Sequence, residues 1–393
     1  MSVDGRLRPR GTPAPQAPPR DTLLFFGIVS LASMRQRPHH FAAALARRFE
    51  VVYVEPHRSI ARIALEHVRR ATVEPGTALP LGLHRLEAGP VLPWSGYLPQ
   101  LNALNYSHAA GRVRAFLGER GLRAPRVVVA TFPKHVDALR HFPGVPVIYD
   151  VMDDYPGFFD RWQGRVIERL HRRLLRAATR VTVSSRVLEE RHRGQTSALQ
   201  WIGNGVEEEF VFACGSATPD PEIAALPAPR LGYLGTLGDW IDIEAIRVLA
   251  TAFPRGTVVL VGPVQTRLAG LPRNVRVVGT LPRGRLPGVL AAFDVGLVPF
   301  RRSRLTDAVN PIKIYEYFAA GLPVLAADLE ELRSWGGALT RCANPAEWIA
   351  GAHAALKSAP DPALRASRRE IAAGRCWGNL AAAFVNVVER EVA

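Results

Sequence analysis

The sequence predicts an α/β protein built from two doubly wound parallel-sheet domains that face each other across a cleft. Short β-branched and aromatic runs alternate with longer helix-like segments, the pattern of a parallel sheet covered by helices. Those runs are apolar almost throughout, as strands buried on both faces must be. With 393 residues the chain exceeds what one hydrophobic core supports, so two domains follow.

In the first half, strands are expected at Leu23–Val29, Val51–Val54, Val127–Thr131, Val147–Tyr149 and Val181–Ser184, with helices over 35–49 and 160–178. The second half repeats the theme with strands at Arg230–Leu234, Thr257–Val261, Val275–Val278, Val295–Val298 and Pro323–Ala326. Between them, 213–229 is rich in turn formers and reads as a linker. The boundaries are therefore a disordered, Pro-rich tail at 1–20, a first domain at 21–212, the linker, and a second domain at 230–365. The closing segment, 366–393, carries Leu380, Phe384, Val387 and Val388 at helical spacing, and its helix should pack back on the body with Trp377 in the core.

Charge is uneven. Residues 1–200 hold 30 Lys and Arg against 16 Asp and Glu, whereas 201–393 hold 20 against 19. Such a field attracts phosphate-rich partners, namely nucleic acid, anionic lipid head groups or lipid-linked diphosphates. A compositional habit is the competing explanation, since only Lys134, Lys313 and Lys357 among the 50 basic residues are lysines. The three cysteines, Cys214, Cys342 and Cys376, form no metal-ligand or redox spacing, which fits a reducing cytoplasmic setting. No secretory signal is expected at the start, and no apolar run reaches the ~20 residues that cross a bilayer, so membrane contact would be peripheral, at the inner face.

The most informative stretch runs from Asn310 to Val324. Asn310 suits a helix cap, Pro311 its first position, Gly321 a left-handed close, and Pro323 opens the next strand, giving a helix of about three turns. Its N-terminus presents free backbone N–H groups to a diphosphate, and Lys313 in the first turn can neutralise charge on a leaving nucleotide. Glu316, about 5 Å further on the same face, suits the two hydroxyls of a ribose. An exposed Lys–Glu pair on an ordinary helix is the bland alternative, but Ile312, Ile314, Tyr315, Tyr317 and Phe318 leave almost no polar face. Gly235 and Thr236, in the loop Gly235–Gly238 after the first strand of the second domain, permit close approach of backbone to phosphate.

Through the motif Asn310-Pro-x-Lys-x-Tyr-Glu-Tyr-x-Ala-x-Gly-x-Pro-Val, with Asn204-Gly-Val-Glu ahead of Phe210 and Tyr233-Leu-Gly-Thr-Leu, the chain resembles the GT-B glycosyltransferases. The bacterial polysaccharide enzymes related to those of teichuronic acid synthesis are the most similar group, and Arg35-Gln-Arg-Pro-His-His and Val54-Glu-Pro add to the likeness over roughly residues 22 to 380. The resemblance implies Rossmann-like domains, an acceptor side in the first and a donor side in the second. It implies that Glu316 binds the donor ribose and Lys313 contacts the diphosphate. Many retaining relatives carry a second Glu eight residues earlier, where this chain has Ala308 beside Asp307, so the stereochemical outcome stays open.

In the first domain, Tyr149-Asp-Val-Met-Asp-Asp154 follows a strand and places three carboxylates at the sheet edge facing the cleft. Mutual repulsion can raise one pKa and create a base for an acceptor hydroxyl. Asp153 is the candidate, similar by position to the catalytic Asp of an inverting GT-B glucuronosyltransferase. Asp150 is the second candidate, and either Asp150 or Asp154 is suited to capping the following helix. Arg37 is expected to touch a phosphate or acidic sugar, whereas His39 and His40 read as structural. Residues 161–176 form a basic amphipathic helix whose roles are contact with an anionic membrane or packing on the sheet.

These readings make the chain a metal-independent transferase moving a sugar from a nucleotide diphosphate donor to a saccharide or lipid-linked saccharide, with no cofactor beyond that co-substrate. A sugar-nucleotide epimerase on the same scaffold, or a non-catalytic binder of nucleic acid or anionic surfaces, are the alternatives. No DNA- or RNA-reading motif is present, so no nucleic-acid partner is expected.

Overall fold

The computed structural model describes residues 20–59, 79–92, 95, 98–159, 161–196 and 198–393. The tail expected at 1–20 falls outside these residues except for Arg20. The first lobe is a seven-stranded parallel sheet: β1 (Thr22–Phe26), β2 (Glu50–Val54), β3 (Leu83–Leu86), β4 (Pro125–Ala130), β5 (Val147–Val151), β6 (Arg180–Val183) and β7 (Leu199–Trp201), in spatial order β3-β2-β1-β4-β5-β6-β7. Its helices are α1 (Arg37–Leu45), α2 (Pro99–Glu119), α3 (Arg161–Ala177) and α4 (Arg186–His192). β1, β5 and most of β2 and β4 are buried at every position, which is why their apolar runs do not alternate.

The second lobe is a six-stranded parallel sheet of β8 (Arg230–Leu234), β9 (Thr257–Val261), β10 (Val275–Gly279), β11 (Val295–Val298), β12 (Val324–Ala327) and β13 (Thr340–Cys342), ordered β10-β9-β8-β11-β12-β13. Around it lie α5 (Glu208–Ser216), α6 (Ile243–Ala252), α7 (Leu286–Ala291), α8 (Ile312–Ala319), α9 (Pro345–Ser358) and α10 (Pro362–Ala373). Ten strands fall where the sequence places them. The short β3, β7 and β13 and the long α2 were not anticipated, because each of those strands is only three or four residues and carries polar side chains.

The segment 213–229 holds the end of α5 and a helical turn at Pro221–Ala224 that Asp220 caps with its side chain. Ile223 and Cys214 are buried with Leu231 and Val289 in the core of the second lobe, so most of this segment packs as part of that lobe. The chain then crosses back: a bridge pairs Val206 with Cys376, and α11 (Trp377–Val392) lays Trp377, Phe384 and Val388 onto Phe41 and Leu45 of α1. Phe41 and Phe384 stack at 4.2 Å, and His40 stacks on Trp377 at 4.6 Å. The first lobe therefore has apolar layers on both sheet faces, one closed by α2 and α3, the other by α1 and α11.

Each sheet reverses winding direction once, between β1 and β4 in the first lobe and between β8 and β11 in the second. Crevices open at the carboxyl ends of strands at such points, and Arg304, beyond the end of β11, bonds Asp154, beyond the end of β5. Among the described residues no helix is long and apolar enough to cross a membrane.

Candidate functional site

The second-lobe crevice is assembled from the ends of β8 and β11. After β8 the chain turns at Gly235, whose φ of +139° is a left-handed conformation that suits glycine. A side chain there would also run into Lys313, whose Cε lies 3.1 Å from where the Cβ would sit. Gly262, after β9, backs this loop at φ +140°, and a Cβ on it would stand 2.1 Å from the Gly235 carbonyl oxygen. Thr236 holds the loop through its carbonyl, which accepts a hydrogen bond from Tyr233 Oη at 2.8 Å.

From α8 come the two charged residues expected there. The Lys313 ammonium lies over the rings of Phe300 at 4.6 Å and Tyr233 at 5.2 Å, and it has no carboxylate ion-pair partner among the described residues. Burial pulls its pKa down to about 8, against a smaller upward pull from Glu316. Glu316 is 7% exposed and its Oε1 accepts a hydrogen bond from Arg283 Nη1 at 2.5 Å. Arg283 also reaches Glu207 Oε2 and lies over the Phe210 ring. Arg283 escaped the sequence reading because 33 residues separate it from Glu316 and no local pattern marks it; Glu207 stood in the Asn204-Gly-Val-Glu motif but carried no assigned role.

Asn310 departs from expectation. The residue at the cap position is Pro311, no side chain caps the helix, and α8 is eight residues, about two turns rather than three. The reason lies in competing partners. Asn310 is 3% exposed, with Nδ2 donating to Glu331 Oε1 at 3.0 Å and Oδ1 accepting from Tyr315 Oη at 3.0 Å. Asn204, in the segment between β7 and α5, donates to its carbonyl at 2.9 Å. The Asn310 side chain is thus engaged by Glu331 and Tyr315 of the second lobe, and Oδ1 also accepts the Asn204 backbone N–H at 3.3 Å. The far end follows the sequence: Gly321 has φ +76°, and the backbone N–H groups of Gly321 and Leu322 bond to the carbonyls of Phe318 and Tyr317.

In the first lobe two sequence candidates are structural in their contacts. Asp150 is fully buried, and its carboxylate accepts Arg37 Nε and Nη2, both at 2.8 Å, and the Thr182 hydroxyl at 2.6 Å. Arg37 is 3% exposed and spends Nη1 on the carbonyls of Ile202 and Gly203 at 2.6 and 3.0 Å. Arg37, expected to touch a phosphate or acidic sugar, thus neutralises Asp150 and fixes the 202–203 segment; Asp150, fully buried and ion-paired, is closed to an acceptor hydroxyl. Asp154 does not cap the turn at Tyr155–Phe158 either, because Arg191 and Arg304 hold its Oδ2 at 2.8 and 2.6 Å. Arg304 belongs to the second lobe, so this pair spans the cleft. His39 bonds to the Ser30 carbonyl and the Gln36 amide and is structural, as expected.

Asp153 stands apart. Its side chain makes no hydrogen bond or ion pair among the described residues, and it is partly open to solvent beside the buried Tyr155. Desolvation, then the neighbouring Asp154 charge, lift its pKa to about 7 against the opposing pull of Arg37. Such a carboxylate can accept a proton near neutral pH. Where many retaining relatives carry a second Glu, Ala308 is fully buried against the first-lobe core, and Asp307 braces the backbone N–H of Glu330 at 3.1 Å. Among the described residues no group of three or more His, Cys, Asp or Glu is placed to hold a metal ion.

Comparison with known proteins accords with this geometry. Residues 228–358 match the family model of glycosyl transferases group 1. The chain is 26% identical over 272 residues to a protein of Bacillus subtilis (strain 168) named as a teichuronic acid biosynthesis glycosyltransferase, TuaH, spanning 61% of this chain and 68% of that one. Among solved structures, sucrose-phosphate synthase of Thermosynechococcus elongatus superposes with a TM-score of 0.68 at 16% identity, covering 94% of this chain and 99% of its own. HepE of Anabaena, solved with UDP and glucose, superposes with a TM-score of 0.61 at 16% identity, covering 94% and 100%. The two parallel sheets have the GT-B fold, the second carries a glycosyl transferases group 1 domain over residues 228–358, and together with the Bacillus relative they support a GT-B glycosyltransferase.

Proposed function

We propose that the protein transfers a sugar from a nucleotide diphosphate donor, bound at the β8–β11 crevice of the second lobe, to a saccharide or lipid-linked saccharide held by the first. The single observation that carries this reading is the convergence of an ammonium without a carboxylate partner, a buried carboxylate and a glycine loop at one winding reversal. Lys313 supplies charge for the diphosphate, and the aromatic rings around it exclude water and strengthen that attraction. Glu316 retains Oε2 without a hydrogen bond among the described residues, available to a ribose hydroxyl while Arg283 orients the carboxylate. Asp153 then takes the proton of the acceptor hydroxyl, or steadies positive charge on the sugar. No resident metal is required in this scheme, since Lys313 and the N-terminus of α8 neutralise the leaving diphosphate.

HepE, solved with UDP, and the naming of the Bacillus relative support a uridine nucleotide donor and a role in bacterial polysaccharide synthesis. Three buried free cysteines suit a reducing cytoplasm, and a lipid-linked acceptor would bring the enzyme to the inner face of the membrane as a peripheral protein. The test is thermal stabilisation by UDP-, GDP- and TDP-sugars in wild type, Lys313→Ala and Glu316→Ala. A ligand at 100 times its Kd adds about 2.7 kcal/mol to the wild type, and both variants should lose most of that gain. Unchanged donor affinity in both would overturn the assignment.

A further inference from the structure

Five arginines of α3, Arg161, Arg165, Arg169, Arg172 and Arg176, are all exposed. At 100° per residue they fall within an arc of about 80°, a single stripe about 22 Å long. Four of their neighbouring pairs are three or four residues apart, the spacing at which like charges destabilise a helix. Glu168 offsets only part of this, pairing with Arg172 at 3.0 Å and with Arg304 at 3.7 Å. Arg161, Arg165 and Arg169 have no acidic partner among the described residues.

The stripe is not a flat face. It lines an open groove of about 610 Å³ together with Pro156, Gly157 and Phe159 of the neighbouring turn and Arg304 of the second lobe, which reaches Glu168 midway along the stripe. Direction matters as well. α3 starts at the carboxyl end of β5, so Arg161 and Arg165 lie at the cleft and Arg176 lies far from it. At the cleft end Arg304 bonds Asp154, the neighbour of Asp153. A chain leaving the acceptor position would therefore run outward along the stripe.

We propose that this groove binds the body of a polyanionic glycan acceptor, a chain bearing carboxylate or phosphate groups at intervals, and leads its end to Asp153. This deepens the transferase reading and rests on it. Guanidinium groups repeating every turn or so match a chain of repeating anions, and forked donors suit both carboxylate and phosphate. The 156–159 turn beside the stripe and the contribution of Arg304 from the second lobe favour an extended chain lying between the lobes over a bilayer.

The test measures binding of fluorescent oligogalacturonate and short polyphosphate to the full-length protein, with labelled dextran as the neutral control. Wild type should bind at least one anionic chain, with affinity that falls steeply as salt rises, and should not bind dextran. Arg165→Gln/Arg169→Gln should weaken that binding tenfold or more. Arg173→Gln, at the margin of the stripe but paired with Asp137 and outside the groove lining, should change it less than twofold. Dextran binding as well as the anionic chains, or an unchanged double variant, overturns the proposal. So does loss in the double variant of binding to phosphatidylglycerol vesicles with oligomer binding intact, which makes the stripe a membrane contact. Nucleotide-sugar binding, measured in parallel, should be equal in wild type and double variant. Its absence from wild type overturns the donor reading separately, whatever the oligomers do.

Discussion

Replacing Asp150 by Asn separates a structural carboxylate from a catalytic one. In the native protein Asp150 is 0% exposed and its two oxygens receive three hydrogen bonds, two of them from a guanidinium that is itself 3% exposed. The amide removes the negative charge and turns one acceptor into a donor that faces another donor. Arg37 is left as a buried cation without compensation, a defect that costs about 3–5 kcal/mol. Against a typical stability of about 5–15 kcal/mol this is a large share, corresponding to a fall of roughly 1–2 M in the urea midpoint. Arg37→Met should cost a similar amount, because the buried Asp150 is then unpaired. Arg37→Met/Asp150→Asn should cost less than the two single changes combined, with a remainder from the carbonyls of Ile202 and Gly203 that lose their donor. Urea unfolding of the four proteins by circular dichroism supplies the cycle, and turnover per folded molecule at low temperature supplies the control. An Asp150→Asn protein as stable as wild type yet a hundredfold slower would refute the structural role and restore Asp150 as a catalytic group.

Asp153→Asn should do the reverse. The wild-type carboxyl titrates near 7, above its unfolded value of 3.8, so its contribution to stability is present below pH 4 and lost as pH rises through 7. The variant should therefore match wild type in acid and exceed it above pH 7, while its turnover falls by about 10²- to 10⁴-fold and the rising limb of the wild-type pH–rate profile disappears; pH-dependent melting and initial rates check both. For Lys313, with a pKa of about 8, a diphosphate ligand prefers the charged amine. Calorimetric donor affinity should stay flat below pH 8 and weaken above it, and Lys313→Arg, which stays charged, should remove that dependence. Gly262→Ala puts a Cβ 2.1 Å from the Gly235 oxygen at φ +140°, so at least ~1–3 kcal/mol of stability should be lost and donor affinity should fall as the 235–238 loop shifts. Melting and donor titration that both match wild type would show that the loop is not braced there.

Local information settled a good deal of this protein. Strands buried on both faces declare themselves by uninterrupted apolar runs, and Arg230–Leu234, Thr257–Val261 and Val295–Val298 lie where those runs do. Gly321 ends α8 because a left-handed residue there costs glycine little, a property of the residue and not of its surroundings. Lys313 and Glu316 were visible as charges with no polar face to sit on.

What the chain does with its longer-range partners was decided only by tertiary contact. Arg37 and Asp150 looked like ligand-facing groups, yet 113 residues apart in sequence they neutralise each other in the first lobe. Asn310 had the chemistry of a cap, but Asn204 and Glu331 offered its backbone and side chain other partners. Arg283 and Arg304 acquire meaning only where Glu316 and Asp154 come to meet them. A hydrogen bond or an ion pair depends on distance in space, so a pattern with period 2 or 3.6 carries the element and its buried face, while the partner of each buried charge emerges when the two sheets are brought together.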